Sequence, residues 1–308
     1  MISFVENHAE TAEFLGAMRE LARVATLKQQ RRKVDFDKIK RIAPAAALCV
    51  VSEFDRWRLT SMRTGQLRAQ TETWDPHVRR LLCEMGFFEV LGVEPPALEE
   101  ITKGHWIKFK SGVSNDGQFA KELRQELEGL IGKFPKTQLL YDAIVEAMAN
   151  AIDHAYPEDR EDFLALSRLG KRWWMSGSVD QEGRVQVIFF DQGITIPRSL
   201  PRSKFWERVR GLMTSLNWTT DDGHMIAAAV QVRRSATEQE HRGKGFANIL
   251  RLLDDSPENK LRIISRRGSY TYVPGREPEI KEYNVPLNGT LIAWDLSLTD
   301  PILSGTTP

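Results

Sequence analysis

The sequence predicts an α/β protein: a two-layer α/β sandwich preceded by a small N-terminal α/β domain. Three observations carry that expectation. Helical and strand-like hydrophobic periods take turns along the chain. Short apolar strands separated by turn residues gather between residues 172 and 298. Gly92, Pro95 and Pro96 then mark a break in the pattern. The expected organisation is an N-terminal domain over 1–100, a larger domain over 101–300 and a frayed polar tail over 301–308.

The 308 residues are 41% hydrophobic and 28% charged, enough apolar content for a core. A net charge of +1 supplies no global field toward nucleic acid or an anionic bilayer, so neither is expected as a partner. The basic run 28–33 reads as a solvated helix end. Cys49 and Cys83 read as free thiols in apolar surroundings. No apolar run is long enough to span a bilayer, and a cytoplasmic protein is expected.

From the N-terminus, Phe4, Ala12, Leu15, Met18, Leu21 and Val24 recur at helical spacing and predict a helix over 3–30. Alternation at Val34 and Phe36 predicts a short strand over 34–42, followed by a helix from Pro44 to Trp57 and a second strand over 59–69. Asp75 caps the next helix, with Pro76 at its first position, and that helix runs to Leu91. A strand is expected from Trp106 to Lys110 and a charged helix from 116 to Ile131. His8, His77 and His105 lack a second ligand or catalytic partner at useful spacing and read as structural.

Tyr141–Tyr156 is a helix by composition, uninterrupted until Pro157. On a wheel of about 100° per residue with Glu146 at zero, Asn150 falls at about +40° and Asp153 at about −20°. Ile144, Met148, Ala151, Ile152 and Ala155 fall opposite. One face therefore packs while three oxygen-bearing side chains share the other, which is either a solvated face or a site. A hairpin follows, with strands over 172–179 and 184–190 and a turn at 181–183. Its second strand ends directly on Asp191-Gln192-Gly193. Helices are expected over 203–216 and 225–232. Gly243-Lys244-Gly245 then opens another over 246–253, and strands are expected over 260–266, 269–273 and 289–298.

Four pieces thus stand in order: Glu146-x3-Asn150-x2-Asp153-His154-x-Tyr156, Asp191-x-Gly193, Gly243-x-Gly245 and Gly289-Thr290. Each suits nucleotide chemistry. An amide oxygen, Asn150, suits Mg²⁺, and a carboxylate one turn earlier, Glu146, suits a general base. Asp191 can accept from an exocyclic amine. Glycines at a helix start, with Lys244 beside them, free N–H groups for phosphate.

The order resembles the N, G1, G2 and G3 boxes of the GHKL ATPase superfamily of gyrases, large heat-shock chaperones, sensor histidine kinases and mismatch-repair proteins, over about Gly132 to Leu298. The resemblance implies a Bergerat-type fold binding ATP and Mg²⁺, with Glu146 catalytic and Asn150 on the metal. It implies that Asp191 and Gly193 read adenine, supported by Thr290, and that Gly243, Lys244 and Gly245 cradle phosphate. Asp153 would support the helix face or meet nucleotide. The span 198–242 would take the place of the mobile ATP lid. The sequence departs from the pattern at Thr195, where a second glycine is usual.

Asp153-His154-Ala155-Tyr156 most resembles the N box of anti-sigma-factor serine kinases. Strand–helix–strand–helix over 34–93 resembles a STAS-type module. The readings are an ATP-hydrolysing switch acting on a protein partner, STAS-type or otherwise regulatory; an ATP-dependent serine/threonine kinase; or a non-catalytic nucleotide-binding module. A homodimer is left open.

Overall fold

The strands at the centre of the molecule are buried along nearly their whole length instead of alternating. In Trp173–Val179 and Arg184–Asp191 nearly every residue is buried, so both faces of these strands must be covered. The computed structural model describes residues 1–28, 34–60, 71–98, 105–114, 117–131, 137–159, 170–180, 184–239, 250, 253–254 and 256–297. Among them lie five strands: β1 (His105–Gly112), β2 (Trp173–Val179), β3 (Arg184–Asp191), β4 (Lys260–Tyr272) and β5 (Glu279–Ser297). They form one antiparallel sheet in the order β1-β2-β3-β5-β4. The mixed α/β class and the β2–β3 hairpin are as the sequence predicts; the hairpin's turn, 181–183, lies outside the described residues.

Helices cover both faces of the sheet. α5 (Gly117–Ile131), α6 (Thr137–Asn150) and α9 (Asp222–Gln239) lie on one face. There Ile144, Met148, Ile226 and Val230 share a core with Trp173, Phe189, Ile263 and Trp294. Leu250 and Leu253, from the helix expected over 246–253, join it; the rest of that stretch lies outside the described residues except Asp254, which follows it. On the opposite face lie α1 (His8–Leu27), α2 (Pro44–Thr60), α3 (Pro76–Glu84) and α4 (Phe87–Leu91). Their residues pack against Trp174, Ile188, Phe190, Ile264 and Leu291. The two-layer sandwich expected from the sequence is therefore three layers, helix–sheet–helix, and the described helices of 1–98 share one core cluster with a face of the sheet.

The strand expected over 34–42 does not form. Phe36 is fully buried among Phe14, Phe54 and Trp74 instead of alternating in a ladder, and the stretch makes a single bridge, Ile42 to Ile2. Of the strand expected over 59–69, Leu59 and Thr60 close α2, and the remainder lies outside the described residues. The described part of 1–98 is thus helical, without the alternation on which the STAS-like pattern rests.

Asp75 caps α3 by accepting the His77 N–H at 3.0 Å, as expected. The single helix expected to Leu91 divides at Gly86, whose φ of +80° ends α-winding. The break frees the Met85 carbonyl to accept the Phe109 N–H at 2.9 Å, tying edge strand β1 to the helical layer. β5 begins ten residues earlier than expected, at Glu279 rather than Gly289. Pro286 falls in the interval between Glu282 and Leu287 where the β4–β5 ladder is interrupted, so its missing N–H leaves no ladder bond unmade.

α7 (Ile196–Ser199) and α8 (Trp206–Ser215) lead into α9. α9 packs into the core through Ile226, Ala227 and Val230. Over Asp222–Gln239 the span expected as a lid is part of a layer, because the run Met225–Val230 is apolar on every side. Among the described residues no helix is long and apolar enough to cross a membrane.

Candidate functional site

α6 carries Glu146 and Asn150 one turn apart, both partly exposed, while Ala143, Ile144, Ala147 and Met148 face the core. Asn150 donates to Glu146 Oε1 at 3.2 Å. A residue that the sequence reading missed closes over the pair. Arg233 of α9 reaches Glu146 Oε1 and Asn150 Oδ1, each at 3.4 Å, and its guanidinium lies 4.9 Å from the Phe205 ring centre. The readable signal was the pair Arg233-Arg234 following an apolar helix run.

After Asn150 the helix changes winding: Ala151–Ala155 form a π-helical turn. Such turns hold one extra residue and are common at functional sites. The 100° wheel therefore stops applying at Asn150, and the alignment of Asp153 with Glu146 and Asn150 no longer follows from it. Asp153 is exposed. His154 beside it, also exposed, has a pKa held below 6.5, chiefly by partial desolvation and next by the Arg233 charge.

The π turn docks onto the loop after β3. Ala155 accepts the Ile194 N–H at 2.8 Å. The Tyr156 hydroxyl accepts the Gln192 N–H at 2.9 Å and donates to the Arg172 carbonyl. A Cβ on Gly193 would lie 2.3 Å from Ala155 Cβ and 2.5 Å from its carbonyl oxygen. The closeness of the π turn at Ala155 by itself leaves no room for a side chain at Gly193.

Asp191 sits in a row across the sheet, Trp173–Asp191–Thr290–Ser265, on the α6–α9 face. Asp191, Thr290 and Ser265 are all buried. Asp191 Oδ1 accepts the Gly193 N–H at 2.8 Å. Ser265 Oγ shares a hydrogen bond of 2.9 Å with Thr290 Oγ1 and accepts the Ile196 N–H at 2.9 Å. Ser265 was not foreseen, although it follows Leu261 and Ile263 at the inward positions of its strand. Gly289 beside Thr290 has φ +140°, and a Cβ there would lie 2.1 Å from the Asp191 carbonyl oxygen.

Thr195 keeps a glycine-like conformation without being glycine. Its φ is +82°, a strained region for a β-branched residue. Its side chain is 6% exposed and Oγ1 has no hydrogen-bond partner. Gln192 Oε1 in the same loop is likewise buried and unpartnered, while Gln192 Nε2 donates to Ser52 Oγ at 3.1 Å and Glu53 Oε1 at 3.0 Å.

That last bond enters a buried ionic cluster on α2. Glu53 pairs with Arg56 and with Arg19 at 2.6 Å. Asp55 accepts the Trp174 indole N–H at 2.9 Å and pairs with Arg172 and Arg58. Cys49, one turn before Glu53, is fully buried, and burial first and the Glu53 carboxylate next push its thiol well above the usual range.

The structure thus brings together Glu146 with Asn150, and Asp191 with Gly193 and Thr290, with the π turn as the hinge between the two groups. Gly243, Lys244 and Gly245 lie outside the described residues. The donor set suits the expected ligands: Glu146 Oε1 and Asn150 Oδ1 already face a single cation, the Arg233 guanidinium, and Mg²⁺ prefers oxygen ligands. No protein-family model matches the chain, and no curated protein matches it.

Proposed function

We propose that the chain binds Mg-ATP at the junction of α6, the loop 191–195 and α9, and uses it as a nucleotide-dependent switch on a protein partner. The observation that carries this reading is the docking of the π turn on the Asp191 loop through Ala155, Tyr156 and Gly193. It ties the segment that continues the Glu146–Asn150 helix to the loop that follows Asp191, as the GHKL-like order of motifs implies for a shared site.

In this reading Asn150 Oδ1 would hold Mg²⁺, and the ion would offset the negative charge crowded on the phosphate oxygens. Glu146 takes the proton of an attacking water or hydroxyl. Asp191 accepts from the adenine amino group, and the Thr290 and Ser265 hydroxyls support the same edge. Gly243, Lys244 and Gly245 supply phosphate contacts.

Calorimetric titration with Mg-ATP and Mg-GTP, alongside labelled ATP, tests the proposal. Wild type is expected to prefer ATP, and Asp191→Ala to lose that preference. Glu146→Ala is expected to keep ATP bound and lose turnover. Free phosphate would mark hydrolysis, label on a partner protein a kinase, and binding without turnover a non-catalytic module. No binding of Mg-ATP by wild type overturns the reading.

A further inference from the structure

The ladder between β3 and β5 ends at the pair Asp191–Thr290. Past that pair, both chains are gripped from the opposite face of the sheet. Side chains alternate along a strand, so Gln192 turns away from the α6–α9 face and reaches α2. Gln192 Nε2 donates to Glu53 Oε1 at 3.0 Å. The same oxygen accepts from Arg19 Nη2 at 2.6 Å, and that nitrogen also donates to the Asn288 carbonyl at 3.0 Å, shortly before Thr290. Gln192, Glu53, Arg19 and Asn288 thus form one chain of bonds from the Asp191 loop to the Thr290 segment. Its middle is firm, because Glu53 is buried and also pairs with Arg56. α1 brings Arg19 to this point because Leu15, Met18 and Ala22 share a core with Leu287 and Leu291, which flank Asn288 and Thr290.

Stability alone seldom calls for a buried ion pair, since apolar packing of the same volume is often as stable. What this pair adds is direction: charge-assisted bonds hold their partners in a defined geometry. The partners here are the two segments that carry Asp191 and Thr290. We propose that Arg19 and Glu53 are positioning residues for the base, fixing the spacing between the Asp191 loop and Thr290, so that the N-terminal helical layer sets how well adenine is told from guanine. The inference rests on the Mg-ATP reading above.

Titration of Mg-ATP, Mg-GTP and inorganic tripolyphosphate with Mg²⁺ into wild type, Arg19→Met, Arg19→Lys and Gln192→Leu tests it. Arg19→Met removes the link to Asn288 and leaves Glu53 paired with Arg56. It is expected to cut the preference for ATP over GTP by about 2–30-fold, the usual size of an indirect effect on binding, with tripolyphosphate binding unchanged. Gln192→Leu opens the same chain at its other end and is expected to give the same loss. It decides the question if Arg19→Met fails to fold. Combining the two is expected to cost little more than either alone, because both break one chain. Arg19→Lys keeps the charge and loses the fork, and is expected to fall between. Preference retained in a folded variant overturns the proposal and leaves the nucleotide reading standing. Equal weakening of nucleotide and tripolyphosphate also overturns it, since that marks a general loss of structure. Wild type that binds ATP and GTP alike overturns the proposal, and wild type that binds no Mg-ATP overturns the nucleotide reading with it.

Discussion

At the scale of single residues, Thr195 is the informative departure. Its φ of +82° shows that the loop after Asp191 keeps a backbone shape natural to glycine. A residue held there costs about 1–3 kcal/mol, while glycine's extra chain entropy costs about 0.5–1 kcal/mol. Thr195→Gly is therefore expected to raise the melting temperature by a few degrees, at about 2–4 °C per kcal/mol. A fall on thermal scanning would mean that the threonine side chain supports the loop. Gly193 is the converse case: its demand for no side chain comes from Ala155, a neighbour that no reading of spacing could supply.

At the scale of elements, α1 is fastened to β5 by a histidine. His8 stacks on Tyr283 with ring centres 3.6 Å apart, and Nε2 faces the Val285 carbonyl at 3.1 Å. A carbonyl only accepts, so Nε2 carries the proton and buried, unpartnered Nδ1 is bare. Burial holds the His8 pKa below 6.5, outweighing the opposing effect of the Val285 bond. The unfolded chain then takes up a proton at a pH where the folded chain does not. The stability contribution is complete above about pH 6.5 and is lost as pH falls through the lower folded value. Melting temperature should decline on acidification from about pH 7.5 to 5.5, and His8→Phe should flatten that decline. An equal slope in both proteins would place the titration elsewhere, with His154 the next group of the same sign.

For the whole molecule, the consequential feature is that the N-terminal helices and the sheet share a core and a charge cluster. Glu53, 3% exposed, joins α1 through Arg19, its own helix through Arg56, and the site loop through Gln192. Breaking a buried pair on one side typically costs about 3–5 kcal/mol. Glu53→Ala is expected to lower the urea midpoint by a corresponding amount, and a midpoint within error of wild type would show the cluster to be energetically idle. Much of this architecture was legible: the β2–β3 hairpin, the Asp75 cap and the amphipathic α6 follow from period and turn chemistry. What was not legible depends on contacts distant in sequence. Phe36 alternates with charge like a strand residue but is buried among helices. Gly86 looks like one tolerated glycine in a long helix until the Met85 carbonyl is seen bonded to Phe109. Arg233 meets Glu146 only because α9 lies beside α6.

The π turn between Asn150 and Tyr156 has a consequence for how this protein can vary. Its surplus residue sets the phase between the Glu146–Asn150 pair and the seat that Ala155 and Tyr156 make for Gly193 and Gln192. Exchanging an exposed side chain of the turn, Asp153 or His154, leaves that phase intact. Deleting one residue would let the segment rewind as ordinary α-helix and rotate everything after it by about 100°. At this point the molecule is more sensitive to how many residues it has than to which ones they are.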